Sequence, residues 1–156
     1  MAEACAVPAN TLAPWAELVP GANVFVRPRR LGRVTSSDGV YRVPGAETGL
    51  LPDVGFYGAA LFPRVTDRSK PIPFAPELAI EVASRDQDAS AMAAKALRYL
   101  RGGARLVWVV WPDRQQVDVW HPGDAEPSVT LRSGDVLDGE DVVRGFSHPV
   151  ADIFDV

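Results

Sequence analysis

Two acids and one lysine carry the chemistry legible in this chain of 156 residues. Asp53 opens a strand-like run after Pro52, Glu81 lies inside Glu77-Leu-Ala-Ile-Glu-Val-Ala-Ser84, and Lys95 sits on the helix expected next. Two carboxylates on neighbouring strands can hold a divalent cation, and a lysine beside them can stabilise charge during phosphodiester cleavage. Each residue also has a plainer reading. An aspartate after a proline often caps a turn, a glutamate at a strand edge is simply solvated, and a lysine beside an apolar stripe snorkels to water. Glu81 resists the plain reading most. Leu78, Ile80 and Val82 share one strand face, whereas Glu81 shares the other with the small Ala79 and Ala83. A charge placed there needs solvent, a partner or a metal.

The elements that must position these residues follow from periodicity. Asp53 to Tyr57 alternates as a strand, with Val54 and Phe56 facing away from Asp53. Glu77 to Ala83 is the next strand, after a proline-rich loop from Pro63 to Pro76. Asp86 or Asp88 can cap a helix that runs to about Arg101 and stops at Gly102-Gly103. Its apolar stripe is Met92, Ala93, Ala96, Leu97 and Leu100, with Lys95 alongside. Ala104 to Trp111 is the most hydrophobic strand and suits the sheet centre. Pro112 to Arg114 turns it into an antiparallel partner, Gln115 to Trp120. Ser128 to Leu131 reads as a further strand. Upstream, a short helix is expected near Pro14 to Val19, then strands over Asn23–Val26 and Gly39–Val43, and a loop from Gly45 to Leu51. The fold class is α/β: one domain with a mixed sheet and one principal helix after the acidic strand.

Composition narrows the function classes. With 47% hydrophobic residues, the chain is not of the disordered class. Leu106 to Trp111, the longest apolar run, is far too short to cross a bilayer, and the N-terminus lacks the pattern of a signal peptide. Cys5 is the only cysteine, which excludes an internal disulfide and a thiolate zinc cluster and suits a reducing, cytoplasmic setting. The net charge of -4 does not advertise a nucleic-acid binder, but local clusters matter more than the total. Arg27, Arg29, Arg30 and Arg33 form one such cluster; Arg98, Arg101 and Arg105 form another. Solvated surface charge is the plain reading of both. His121 and His148 stand in His-Pro pairs without triad or zinc spacing, and the acids from Asp135 to Asp141 match no calcium loop.

Taken in order, Leu51-Pro-Asp-Val-Gly-Phe56, Ala75-Pro-Glu-Leu-Ala-Ile-Glu-Val-Ala-Ser84, Lys95-Ala-Leu-Arg-Tyr-Leu-Arg-Gly-Gly-Ala104 and Leu106-Val-Trp-Val-Val110 resemble the Uma-two family of restriction-endonuclease-like proteins. That family lies within the PD-(D/E)XK nuclease superfamily. The tail agrees: Gly134-Asp-Val-Leu-Asp-Gly-Glu140, Gly145-Phe146 and Pro149-Val-Ala-Asp-Ile-Phe154 are similar to the family's ending. The resemblance runs from about Leu31 to the C-terminus. Residues 1–30 form an atypical segment, shorter than the family's usual N-terminal region, which bears on DNA grip and dimer formation.

The resemblance implies a restriction-endonuclease-like mixed sheet and a nuclease activity on DNA. Asp53 takes the aspartate position of the PD element and Glu81 the acidic position of the next strand. The superfamily's usual lysine would fall at Ala83; in this family it has moved to the following helix, where Lys95 fits. Asp53 and Glu81 are thereby implied as ligands of Mg2+, with Mn2+ as a substitute, joined by the Val82 carbonyl. Lys95 would orient the attacking water or offset phosphorane charge. DNA is the implied partner, and cutting both strands of a duplex would favour a homodimer. Two other readings stand beside this one: a nuclease fold that has lost catalysis and serves as a binding module, and an unrelated small α/β binding domain.

Overall fold

The computed structural model of the chain describes residues 15–43 and 47–155. Cys5, the expected helix start at Pro14 and the opening of the Gly45–Leu51 loop lie outside them. The elements in chain order are α1 (Trp15–Val26), β1 (Gly32–Thr35), β2 (Val54–Gly58), a 3-10 turn (Ala59–Arg64), β3 (Leu78–Val82), α2 (Ala89–Gly102), β4 (Leu106–Trp111), β5 (Gln116–Trp120), β6 (Val129–Arg132), β7 (Val136–Asp138), β8 (Ser147–Pro149) and α3 (Val150–Phe154). Strands β1 to β6 form one sheet in sequence order, and β7 pairs with β8 in a separate ribbon. All pairs of the main sheet are antiparallel except β3 with β4. That parallel pair is joined by α2, as a parallel pair requires. Among the described residues no helix is long and apolar enough to cross a membrane.

The sheet is covered on both faces, which explains why β4 is apolar at every position and buried throughout. On one face Val54, Phe56, Leu78, Ile80, Trp108 and Val117 pack against α1, α3 and the Val143–Phe146 turn. On the other, Ala79, Ala83, Val107, Val109 and Trp120 pack against Met92, Ala96 and Tyr99 of α2. The alternation expected for β3 therefore holds. Its odd-numbered residues face the helix, and small alanines there let α2 approach closely.

Helix α2 begins where Asp88 accepts the Ala91 N–H at 2.8 Å and ends at Gly103, whose φ of 116° is the left-handed cap. Two upstream expectations fail. Asn23–Val26 is not a strand but the last turn of α1, which continues through Pro20 and Gly21. Proline in a helix interior removes a hydrogen bond, which is why sequence pattern alone ends the helix at Val19. Ala22, Phe25 and Val26 instead pack on the sheet at helical spacing, leaving Val24 71% exposed; burial of that stripe outweighs the local cost. Gly39–Val43 is not a strand either. Tyr41 alone forms isolated bridges, to Leu50 and to Ile72, and its buried hydroxyl meets the Thr35 hydroxyl at 2.7 Å. The strand beside β2 is β1, whose Gly-Arg-Val-Thr composition carries no apolar run.

Candidate active site

The β2–β3 register sets Val54 opposite Ile80 and Gly55 opposite Ala79. One step further along, the same antiparallel register brings Asp53 opposite Glu81. Pro52 precedes the strand and Asp53 stands just outside it, so its side chain can turn across the strand gap. Its Oδ2 accepts the Val82 N–H at 2.7 Å. A strand residue's N–H and C=O point the same way, so the Val82 carbonyl points toward the Asp53 side as well. The next backbone amide, Ala83 N–H, instead bonds the Val110 carbonyl of β4. Asp53 is thus fixed through one oxygen, and its carboxyl stands close enough to Glu81 for a hydrogen bond between the two acids when one is protonated.

Glu81 is 5% exposed, among the most deeply placed charges of the described chain. Two side chains from α2 meet it. The Tyr99 hydroxyl donates to Oε1 at 2.7 Å, and Lys95 Nζ lies 3.8 Å from Oε2. Burial pushes the Glu81 carboxyl up to about 7, opposed by the Tyr99 hydrogen bond and helped by the negative charge of Asp53; Lys95 pulls it back down. Burial and the Glu81 charge together raise the Tyr99 hydroxyl far above its ordinary value, so it stays a donor. The Lys95 side chain is 39% exposed, so its ammonium meets both Glu81 and solvent.

Asp53, Glu81, Val82 and Lys95, singled out from sequence, therefore meet at one place, at the end of β3 beneath α2. Tyr99 was missed. It stands four residues after Lys95, one helical turn, on the same face of α2; that spacing was the available signal, obscured because the apolar stripe alone accounts for a buried aromatic. Glu77, one residue before β3, belongs elsewhere. It accepts the Gly58 N–H at 2.6 Å and pairs with Arg105 at 3.5 Å, and Arg105 reaches on to Asp141 at 2.7 Å. That acid clamps strands. His121 is likewise engaged in the turn after β5, between the Ser128 hydroxyl at 2.7 Å and Glu140 at 2.8 Å.

Among the described residues no three His, Cys, Asp or Glu side chains converge as an ion site. The donor set at Asp53 and Glu81 is two carboxylates and a backbone carbonyl. This suits magnesium, which binds through one or two carboxylates and keeps several waters or substrate phosphate oxygens. The residues present fit such an ion, and the repulsion between the two acids gives a cation a reason to bind.

Comparison with curated proteins gives no match. Among solved structures, the fold matches a protein of Anabaena variabilis described as a "putative nuclease belonging to DUF820", with a TM-score of 0.73. Sequence identity is 21%, and the match covers 90% of this chain and 78% of that one. The two chains thus share a fold. The model of the Uma2 family, described as "Putative restriction endonuclease", matches residues 16–151. The matched region takes in α1, upstream of Leu31, as well as β2, β3 and α2 with every residue of the candidate site. On this match the chain belongs to the Uma2 family.

Proposed function

We propose that this protein is a metal-dependent nuclease hydrolysing DNA phosphodiester bonds, with Asp53, Glu81 and the Val82 carbonyl as ligands of Mg2+ or Mn2+ and Lys95 as the catalytic cation. The observation that carries this reading is the meeting of Asp53 and Glu81 on facing positions of adjacent strands, with Lys95 3.8 Å from Glu81. Bound there, the ion would supply Lewis-acid polarisation of a phosphoryl oxygen and acidify a water. The chain's own residues do the rest. Val82 N–H orients the Asp53 carboxylate, and the Tyr99 hydroxyl holds Glu81 in one rotamer and favours its ionised form. Lys95, half in solvent, has the reach to meet a phosphate and offset charge that develops as the phosphodiester is attacked.

Nicking of supercoiled plasmid and cutting of single-stranded DNA, with magnesium or manganese, test the proposal. Wild type is expected to cut; Glu81→Ala and Lys95→Ala are expected to lose at least ~100-fold in rate, the scale of removing one charge-stabilising group. Cleavage that survives chelation or the Glu81→Ala change would refute it. A folded wild type that binds DNA without cutting would instead favour the binding-module reading.

A further inference from the structure

A trough runs along the outer edge of β1. It consists of two adjoining hollows, of about 490 Å³ and about 560 Å³, that share Arg33, Val34, Val65 and Arg68 as lining. Arg27 closes one end and Lys70 flanks the other. Four cations therefore line it against one carboxylate, Asp38, in a chain whose net charge is -4. Arg27, Arg33 and Arg68 are exposed and make no ion pair among the described residues. The fourth, Lys70, has only a loose partner in Asp67 at 3.8 Å.

The trough also points at the candidate site. Thr35 lines it and pairs with Gly55, two residues before which lies Asp53. One strand spacing of ~4.8 Å and two residues of ~3.4 Å rise separate Thr35 from Asp53, roughly 8 Å between Cα atoms. A nucleic-acid strand advances ~3.4 Å along its axis per phosphate. Backbone seated in the trough would thus lie about two or three nucleotides from a phosphodiester at Asp53 and Glu81. Unpaired guanidinium groups suit phosphate oxygens, which they meet with two parallel N–H donors.

We infer that this trough is the groove that holds the DNA backbone flanking the scissile phosphate, with Arg33 and Arg68 as its two central phosphate contacts. The inference rests on the nuclease reading for its register and extends it by naming the surface that grips substrate. Arg33 and Arg68 act here as positioning residues, through phosphates remote from the reacting one.

Binding of a fluorescein-labelled duplex, followed by anisotropy in chelator across a salt series, tests it without any cleavage. Arg33→Gln/Arg68→Gln is expected to weaken binding at every sequence and lower the slope of log K against log salt by about 1.8, at ~0.9 for each phosphate no longer neutralised. Arg132→Gln, on the opposite edge strand β6, is expected to bind as wild type. Unchanged affinity and slope in the double variant would overturn the trough, as would a wild type that binds no DNA at low salt. The two proposals fail separately. Metal-dependent cutting with trough-independent binding keeps the nuclease and removes the trough; trough-dependent binding with no cutting does the reverse.

Discussion

Glu81 is the residue on which the site turns, because the fold leaves its carboxylate only 5% exposed. A carboxyl whose folded pKa lies above its unfolded value binds its proton more tightly when folded. For Glu81, with an ordinary value of 4.5 and a folded value of about 7, stability is greatest below the lower figure. It falls as pH climbs through that interval and stays low above it. The cost at the alkaline end is on the order of 3 kcal/mol. Glu81→Gln, which keeps an acceptor for Tyr99 without the charge, is therefore expected to raise the melting temperature of the metal-free protein near pH 8. It should change it little near pH 5, and an equal shift at both would contradict the buried charge. Tyr99→Phe removes a hydrogen bond that favours the ionised form. It is expected to push the Glu81 carboxyl higher still, read by carbonyl-carbon chemical shift against pH; a downward shift would contradict the assigned hydrogen bond. The Asp53–Glu81–Lys95 set was legible from residue type and strand alternation. Tyr99 was not, since a tyrosine on a helix's inner face needs no polar explanation.

At the scale of elements, the site depends on how closely α2 lies on the sheet. Gly102, its last residue, has no room for a Cβ, which would overlap the Val43 Cγ1 atom. Gly102→Ala is expected to cost about 1–3 kcal/mol by overpacking, measured by urea denaturation; a neutral result would mean Val43 yields freely. Asp88→Ala removes only the cap and is expected to cost about 1 kcal/mol. The strands and helix around the site were readable because each carries its own signal: alternation in β2 and β3, a cap and a double-glycine stop for α2, an unbroken apolar run in β4. The N-terminal elements carry contrary signals. Pro20-Gly21 argues against a helix that core burial nevertheless sustains, and β1 is a strand because β2 offers it a pairing edge, not because Gly-Arg-Val-Thr prefers one. Gly32 there is needed for close approach, since a Cβ would strike the Tyr57 carbonyl oxygen.

For the whole molecule, charge separation is the feature that would connect fold to the proposed DNA substrate. Against a net charge of -4, the proposed trough gathers Arg27, Arg33, Arg68 and Lys70, and such a local field can favour a polyanion that the total charge does not. The proposed divalent metal would have a second effect at this scale. An ion that binds only the folded protein stabilises it by mass action. Protons compete with it for the same carboxylates, so added magnesium is expected to raise the melting temperature more near pH 8 than near pH 5. An equal rise at both would place the ion elsewhere. The trough was half legible in sequence: Arg27 and Arg33 belong to one basic cluster there, but Arg68 is 35 residues from Arg33 and only the fold sets it beside them.

Calorimetric titration of manganese into wild type, Asp53→Asn and Glu81→Gln near pH 8 tests most directly whether the carboxylate pair holds the ion. Saturable binding to wild type, reduced at least ~10-fold in each variant as for loss of a ligand's support, is the expected result. Wild-type affinity retained in Glu81→Gln would contradict a metal centre at Asp53 and Glu81.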